Sequence, residues 1–80
     1  MRKRFEKIVK ATGKPFCVEK TMGGYYRLMC GEDIIHDDSA CEDVYSEEDA
    51  CGFYGDILLE DEVPAEKKEL RGGIWFLKEE

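Results

Sequence analysis

Ser46-Glu47-Glu48-Asp49-Ala50-Cys51-Gly52-Phe53-Tyr54-Gly55-Asp56-Ile57-Leu58-Leu59 is the stretch that decides the fold of this chain. Ser46 is a strong helix N-cap, because its hydroxyl can accept a hydrogen bond from a first-turn N–H that has no partner inside the helix. Three acids follow it and suit the positive end of the helix dipole. Asp49 stands where a capping box usually has Glu, as a shorter substitute. Ala50, Phe53, Tyr54, Ile57 and Leu58 then recur with the helical period, the clearest such stripe in the sequence. Gly52 and Gly55 interrupt it, each costing about 1 kcal/mol relative to Ala. On a helical wheel they share the outer face with Glu48 and Leu59. Three readings follow. The helix is short and Phe53 to Leu59 is partly something else; another element of the domain packs closely against the glycines; or a partner docks there, with Leu59 as its apolar contact.

Upstream, Phe5, Ile8, Val9 and Thr12 follow i, i+3, i+4, i+7, which predicts a short amphipathic helix over 2–12. Gly13 is placed to end it and Pro15 blocks continuation. Residues 16–21 and 24–30 read as two strands joined by a tight turn at Gly23-Gly24. Gly31-Glu32 is a second turn, followed by a brief strand from Asp33 to His36. Asp37 to Asp43 has no periodicity and reads as loop. Downstream, Pro64 fits the first position of a helix over 64–71, stopped by Gly72-Gly73. Ile74-Trp75-Phe76-Leu77 is apolar at four consecutive positions, the pattern of a strand buried on both sides or paired centrally.

The expected fold is α+β, in the order α-β-β-β-α-α-β. A small, mainly antiparallel sheet of three or four strands is covered on one face by the 46–60 helix. Predicted core residues are Phe5, Ile8, Val9, Phe16, Val18, Leu28, Cys30, Ile34, Phe53, Tyr54, Ile57, Leu58, Ile74 and Phe76.

Eighty residues and 9.2 kDa make one domain, residues 1–80, well below the size at which chains split into separate cores. Leu, Ile, Val and Phe number 18, just above the composition at which a charged chain stays disordered, so the core is thin. No apolar run is long enough to span a membrane. The basic N-terminus is not followed by an apolar segment, so no secretory signal and a cytoplasmic location are expected.

The net charge of −7 hides a strong asymmetry. Residues 1–27 carry Arg2, Lys3, Arg4, Lys7, Lys10, Lys14, Lys20 and Arg27 against Glu6 and Glu19, a net of +6. From Leu28 to Glu66 there are 14 acids and no Lys or Arg. A basic head is joined to a long acidic body.

Catalytic and metal signatures are weak. Cys17, Cys30, Cys41 and Cys51 are separated by 12, 10 and 9 residues with no C-x-x-C knuckle, so the expectation is reduced thiols and no metal or cofactor. A Cys-dependent metal or redox site is kept as an alternative, with His36 as a further ligand. His36 and Cys41 could also be drawn as a nucleophile pair oriented by Asp37, but nothing supplies an oxyanion hole. Residues 37–43 with Glu48 resemble a calcium loop, yet Glu42 stands where glycine is required and Cys41 replaces an oxygen ligand. Gly23-Gly24 lacks the Lys-Ser/Thr pair and the following helix of a phosphate loop.

The acids are the strongest feature. Pairs recur at 32/33, 37/38, 42/43 and 47/48. Glu47, Glu48 and Asp49 have a capping explanation. Glu60, Asp61 and Glu62 are awkward at the negative end of the main helix and are read instead as complementing the start of the 64–71 helix. Asp37, Asp38, Glu42 and Asp43 have no structural explanation. In size, acidity and lack of a catalytic signature the chain resembles, at class level, the small phage-encoded inhibitors of bacterial defence, such as DNA-mimicking anti-restriction and anti-CRISPR proteins. The resemblance rests on the Leu28–Glu66 tract. It implies a viral, non-enzymatic inhibitor that occupies a nucleic-acid groove on an enzyme; the basic N-terminal helix departs from a uniformly acidic mimic. The function expected is therefore a binding protein, not an enzyme. It would use Asp37, Asp38, Glu42, Asp43, Glu48, Asp56, Glu60, Asp61 and Glu62 to engage a basic protein surface, without contacting nucleic acid or membrane directly. The alternative is an interaction or homodimerisation module acting through Gly52, Gly55 and Leu59.

Overall fold

The structure, a computed structural model, describes residues 2–37 and 46–78. The chain is α+β. Its elements run α1 (Arg2–Thr12), β1 (Phe16–Lys20), β2 (Tyr26–Cys30), β3 (Asp33–Asp37), α2 (Glu47–Asp61), a single 3-10 turn (Ala65–Lys67), β4 (Lys68–Arg71) and β5 (Ile74–Leu77). There are two sheets where one was expected: an antiparallel meander β1-β2-β3 and a separate β4-β5 hairpin.

The local signals explain most of this. α1 ends at Thr12, whose hydroxyl donates back to the Val9 carbonyl at 2.6 Å. The turn between β1 and β2 closes through Gly24 N–H to the Thr21 carbonyl (3.0 Å) and sets Val18 opposite Leu28. α2 starts where the Ser46 hydroxyl accepts from the Asp49 N–H at 3.1 Å.

The predicted helix over 64–71 is a correction. Only one 3-10 turn forms, and residues 68–71 are strand. Gly72 and Gly73 both have positive φ, 59° and 80°. Two such residues make the hairpin turn whose twist matches antiparallel strands, so this pair connects strands and does not stop a helix. The 74–77 run is corrected with it. A two-stranded hairpin packs one face only, so Trp75 and Leu77 lie against the core. Ile74 (61% exposed) and Phe76 (38%) face outward.

The core joins α1, α2 and the meander through Phe5, Ile8, Phe16, Leu28, Ala50, Cys51, Tyr54, Leu58, Leu59 and Val63. Val9, Val18, Cys30 and Ile57 pack against it, half-buried. Tyr54 is fully buried and donates its hydroxyl to the Tyr26 carbonyl at 2.9 Å, tying α2 to the sheet. Ile34, expected in the core, is exposed. A register shift between Leu28 and Met29 pairs Ile34 with Met29, on the face opposite Leu28, while His36 pairs with Leu28 and lies near Tyr54.

Gly52, Gly55 and Leu59 are buried. α1 packs on α2 beside Gly55: a Cβ there would meet Ile8 Cδ1 and Arg4 Nη1 at 3.5 Å and Phe5 Cδ2 at 3.7 Å. The glycine therefore allows close helix approach within the chain, and the docking face read at Gly52, Gly55 and Leu59 is not available to a partner. Those distances are ordinary contacts for a methyl group. Gly55→Ala is expected to leave packing intact and stabilise by about 0.5–1 kcal/mol through helix propensity. Gly55→Leu, which has no room beyond Cβ, should lower the thermal midpoint instead. Thermal melts of the two variants check the opposite signs.

Candidate functional site

α2 buries an unusually wide arc. Ala50, Tyr54 and Leu58 belong to the core facing the sheet, and Gly55 lies under α1. Glu47 and Glu48 at the start of α2 and Asp61 at its end are exposed; between them the residues left to solvent form one stripe, Asp49, Phe53, Asp56 and Glu60, at spacing i, i+4, i+7, i+11. At 1.5 Å per residue it spans about 16 Å. Phe53, expected in the core, is 40% exposed and stands in the middle of the three carboxylates. Its ring meets Tyr54 edge-on at 5.3 Å between centroids, which fixes it against the helix.

The basic head is folded back onto the acidic body. Arg4 pairs with Asp56 at 2.6 Å, Lys14 with Glu62 at 3.1 Å and Arg2 with Glu47 at 3.5 Å. Exposed pairs of this kind contribute about 0–1 kcal/mol each. Their greater effect is on the surface field, which they cancel along the flank of α2 nearest α1.

Of the acids singled out in the sequence, Asp56 and Glu60 share the stripe. Glu48, Asp61 and Glu62 project off it. Asp37 lies on the meander opposite Arg27. Asp37 and Glu48 both have interacting neighbours. Asp38, Glu42 and Asp43 fall outside the described residues, as does Cys41. Asp49 and Phe53 were missed. The clue was the glycine pair: once α1 covers Gly55, the buried arc rotates and leaves Phe53 outside it.

The awkward acids at the end of α2 also find their explanation. The last turn has no basic residue of its own. Lys68, buried on β4, supplies one: its ammonium donates to the carbonyls of Leu59 (3.0 Å) and Glu60 (2.5 Å) and lies 4.5 Å over the Trp75 ring. The expectation that Glu60 to Glu62 serve the start of a following helix is thereby corrected.

Cys17 is exposed, Cys30 half-buried and Cys51 buried. Among the described residues, no three His, Cys, Asp or Glu side chains are grouped to hold a metal ion. Burial pushes the Cys51 thiol above its ordinary range, and the Glu47 carboxylate adds to the effect. A raised value favours the neutral thiol in the folded state, so this contribution to stability is complete below the ordinary thiol range and is lost as pH rises through the raised value. At mildly alkaline pH an alkylating reagent should modify Cys17 well before Cys51, with Cys51 following the unfolding rate; mass mapping of the labelled sites would expose equal labelling. No helix among the described residues is long and apolar enough to cross a membrane.

Comparison with known protein families, curated proteins and solved structures finds no match.

Proposed function

We propose that this chain is a non-enzymatic binding protein whose acidic α2 face engages a basic site on a partner protein, one that itself handles nucleic acid. The observation that carries this reading is the Asp49–Phe53–Asp56–Glu60 stripe. An exposed aromatic ring flanked along the helix by Asp49 and Glu60, with Asp56 paired to Arg4, fits a surface with an apolar centre and a basic rim. Such an arrangement concentrates affinity in the ring and orientation in the charges.

Magnitude argues against mimicry of a DNA duplex by this face alone. Three carboxylates occupy about 16 Å, over which B-DNA displays roughly nine phosphates. The stripe supports a protein-docking mode, with the wider acidic tract steering the encounter. A viral inhibitor of a defence enzyme remains the kind of protein this reading describes.

The test is affinity capture from the native host at low and at high salt, followed by competition with duplex DNA. The expected result is a small set of basic proteins, released by salt and displaced by DNA. Capture that ignores both salt and DNA would contradict the reading.

A further inference from the structure

On the other flank of α1, Arg4 and Lys7 face the outward side of the β4-β5 hairpin. Glu69, Arg71, Phe76 and Leu77 complete an open groove of about 600 Å³. It carries three cations and one carboxylate; Glu69 pairs with Arg71 at 3.4 Å and Asp56 reaches Arg4 at 2.6 Å, and the groove keeps a net positive charge. Its apolar floor is Phe76, with the Arg71 guanidinium stacked 4.2 Å over the ring. Ile74, on the same face of the strand as Phe76, extends the exposed apolar surface.

This groove is the chemical inverse of the α2 stripe. One presents carboxylates around Phe53, the other cations around Phe76 and Ile74. The two surfaces meet at the Arg4–Asp56 pair, since Arg4 lines the groove and its guanidinium ends on the stripe. We propose that the groove is a docking site for the α2 face of a second copy of this chain, with Phe53 seated on Phe76 and Ile74 and the carboxylates at Asp49 and Glu60 directed to Lys7 and Arg71. Net repulsion between two chains of charge −7 acts over distance and is screened beyond about 8 Å at physiological salt, whereas the contact pairs act within it. A small, polar-rimmed interface of this type is weak, and association is expected at concentrations on the order of tens of micromolar. Self-association would cover the face that the partner reading assigns to docking, and so compete with it.

The experiment is sedimentation velocity of the full chain at physiological salt across that concentration range, with no partner present, so its outcome is independent of the partner reading. The wild type should shift from 9.2 kDa toward a larger species. Lys7→Glu with Arg71→Glu should remain monomeric, and so should Asp49→Lys with Glu60→Lys, each with affinity at least about tenfold weaker. A one-to-one mixture of these two variants restores a native groove facing a native stripe and should yield a heterodimer. Glu32→Lys with Asp33→Lys, which makes the same +4 change in net charge as Asp49→Lys with Glu60→Lys but on the meander, should associate like the wild type. A wild type that stays monomeric throughout, variants that associate undiminished, or a mixture that fails to pair would each overturn the proposal.

Discussion

Lys68→Met is expected to lower stability by about 2–3 kcal/mol, a large share of the roughly 4–12 kcal/mol available to an 80-residue domain. Methionine preserves the length and the apolar contacts of the stem, so the loss isolates the ammonium. That group caps the Leu59 and Glu60 carbonyls at the end of α2 and lies over Trp75. It also places a positive charge at the negative end of the helix dipole, where Glu60, Asp61 and Glu62 crowd and Lys14 pairs only with Glu62. Hydrogen bonds to a charged donor contribute about 1.5–3 kcal/mol and the ring contact about 0.5–1 kcal/mol, with the lysine's own desolvation opposing them. For a domain this small the thermal midpoint should fall by roughly 10–20 °C. Lys68→Arg should recover part of it. An unchanged midpoint for Lys68→Met would mean that water satisfies those carbonyls equally well.

Phe53→Ala is expected to separate binding from folding. The ring is 40% exposed, so its removal should cost less than about 1 kcal/mol of stability. In the proposed binding mode it is the aromatic anchor, and truncation of such an anchor typically costs about 2 kcal/mol of binding, roughly thirtyfold in affinity. Titration calorimetry against a captured partner, beside a thermal melt, gives both quantities. Equal affinity for the two proteins would remove Phe53 from the interface.

What was legible in the sequence was local. The Ser46 cap, the period of α1 and the Gly23-Gly24 turn each depend on neighbours a few positions away, and each appears where it was read. What was not legible depends on the partner across the core. Phe53, Ile34, Ile74 and Phe76 are apolar and were assigned inward; each is exposed because the neighbouring element covers a different face. The hairpin at 68–77 was obscured because Gly72-Gly73 reads equally as a helix stop. The site was half visible: Asp56 and Glu60 were named, but their alignment with Asp49 and Phe53 follows from α1 occupying the glycine side of α2. Nor does sequence pattern reveal that Arg4 neutralises Asp56 from 52 positions away.

The most direct measurement sets two charge-matched variants against the same captured partner. Asp49→Lys with Glu60→Lys alters the stripe. Glu32→Lys with Asp33→Lys changes the net charge by the same amount on the meander side. If the α2 face is the recognition surface, the first loses affinity about a hundredfold with a flattened salt dependence, and the second stays within a few-fold of the wild type. Equal losses in both would show that net charge alone attracts the partner and that the stripe has no special role.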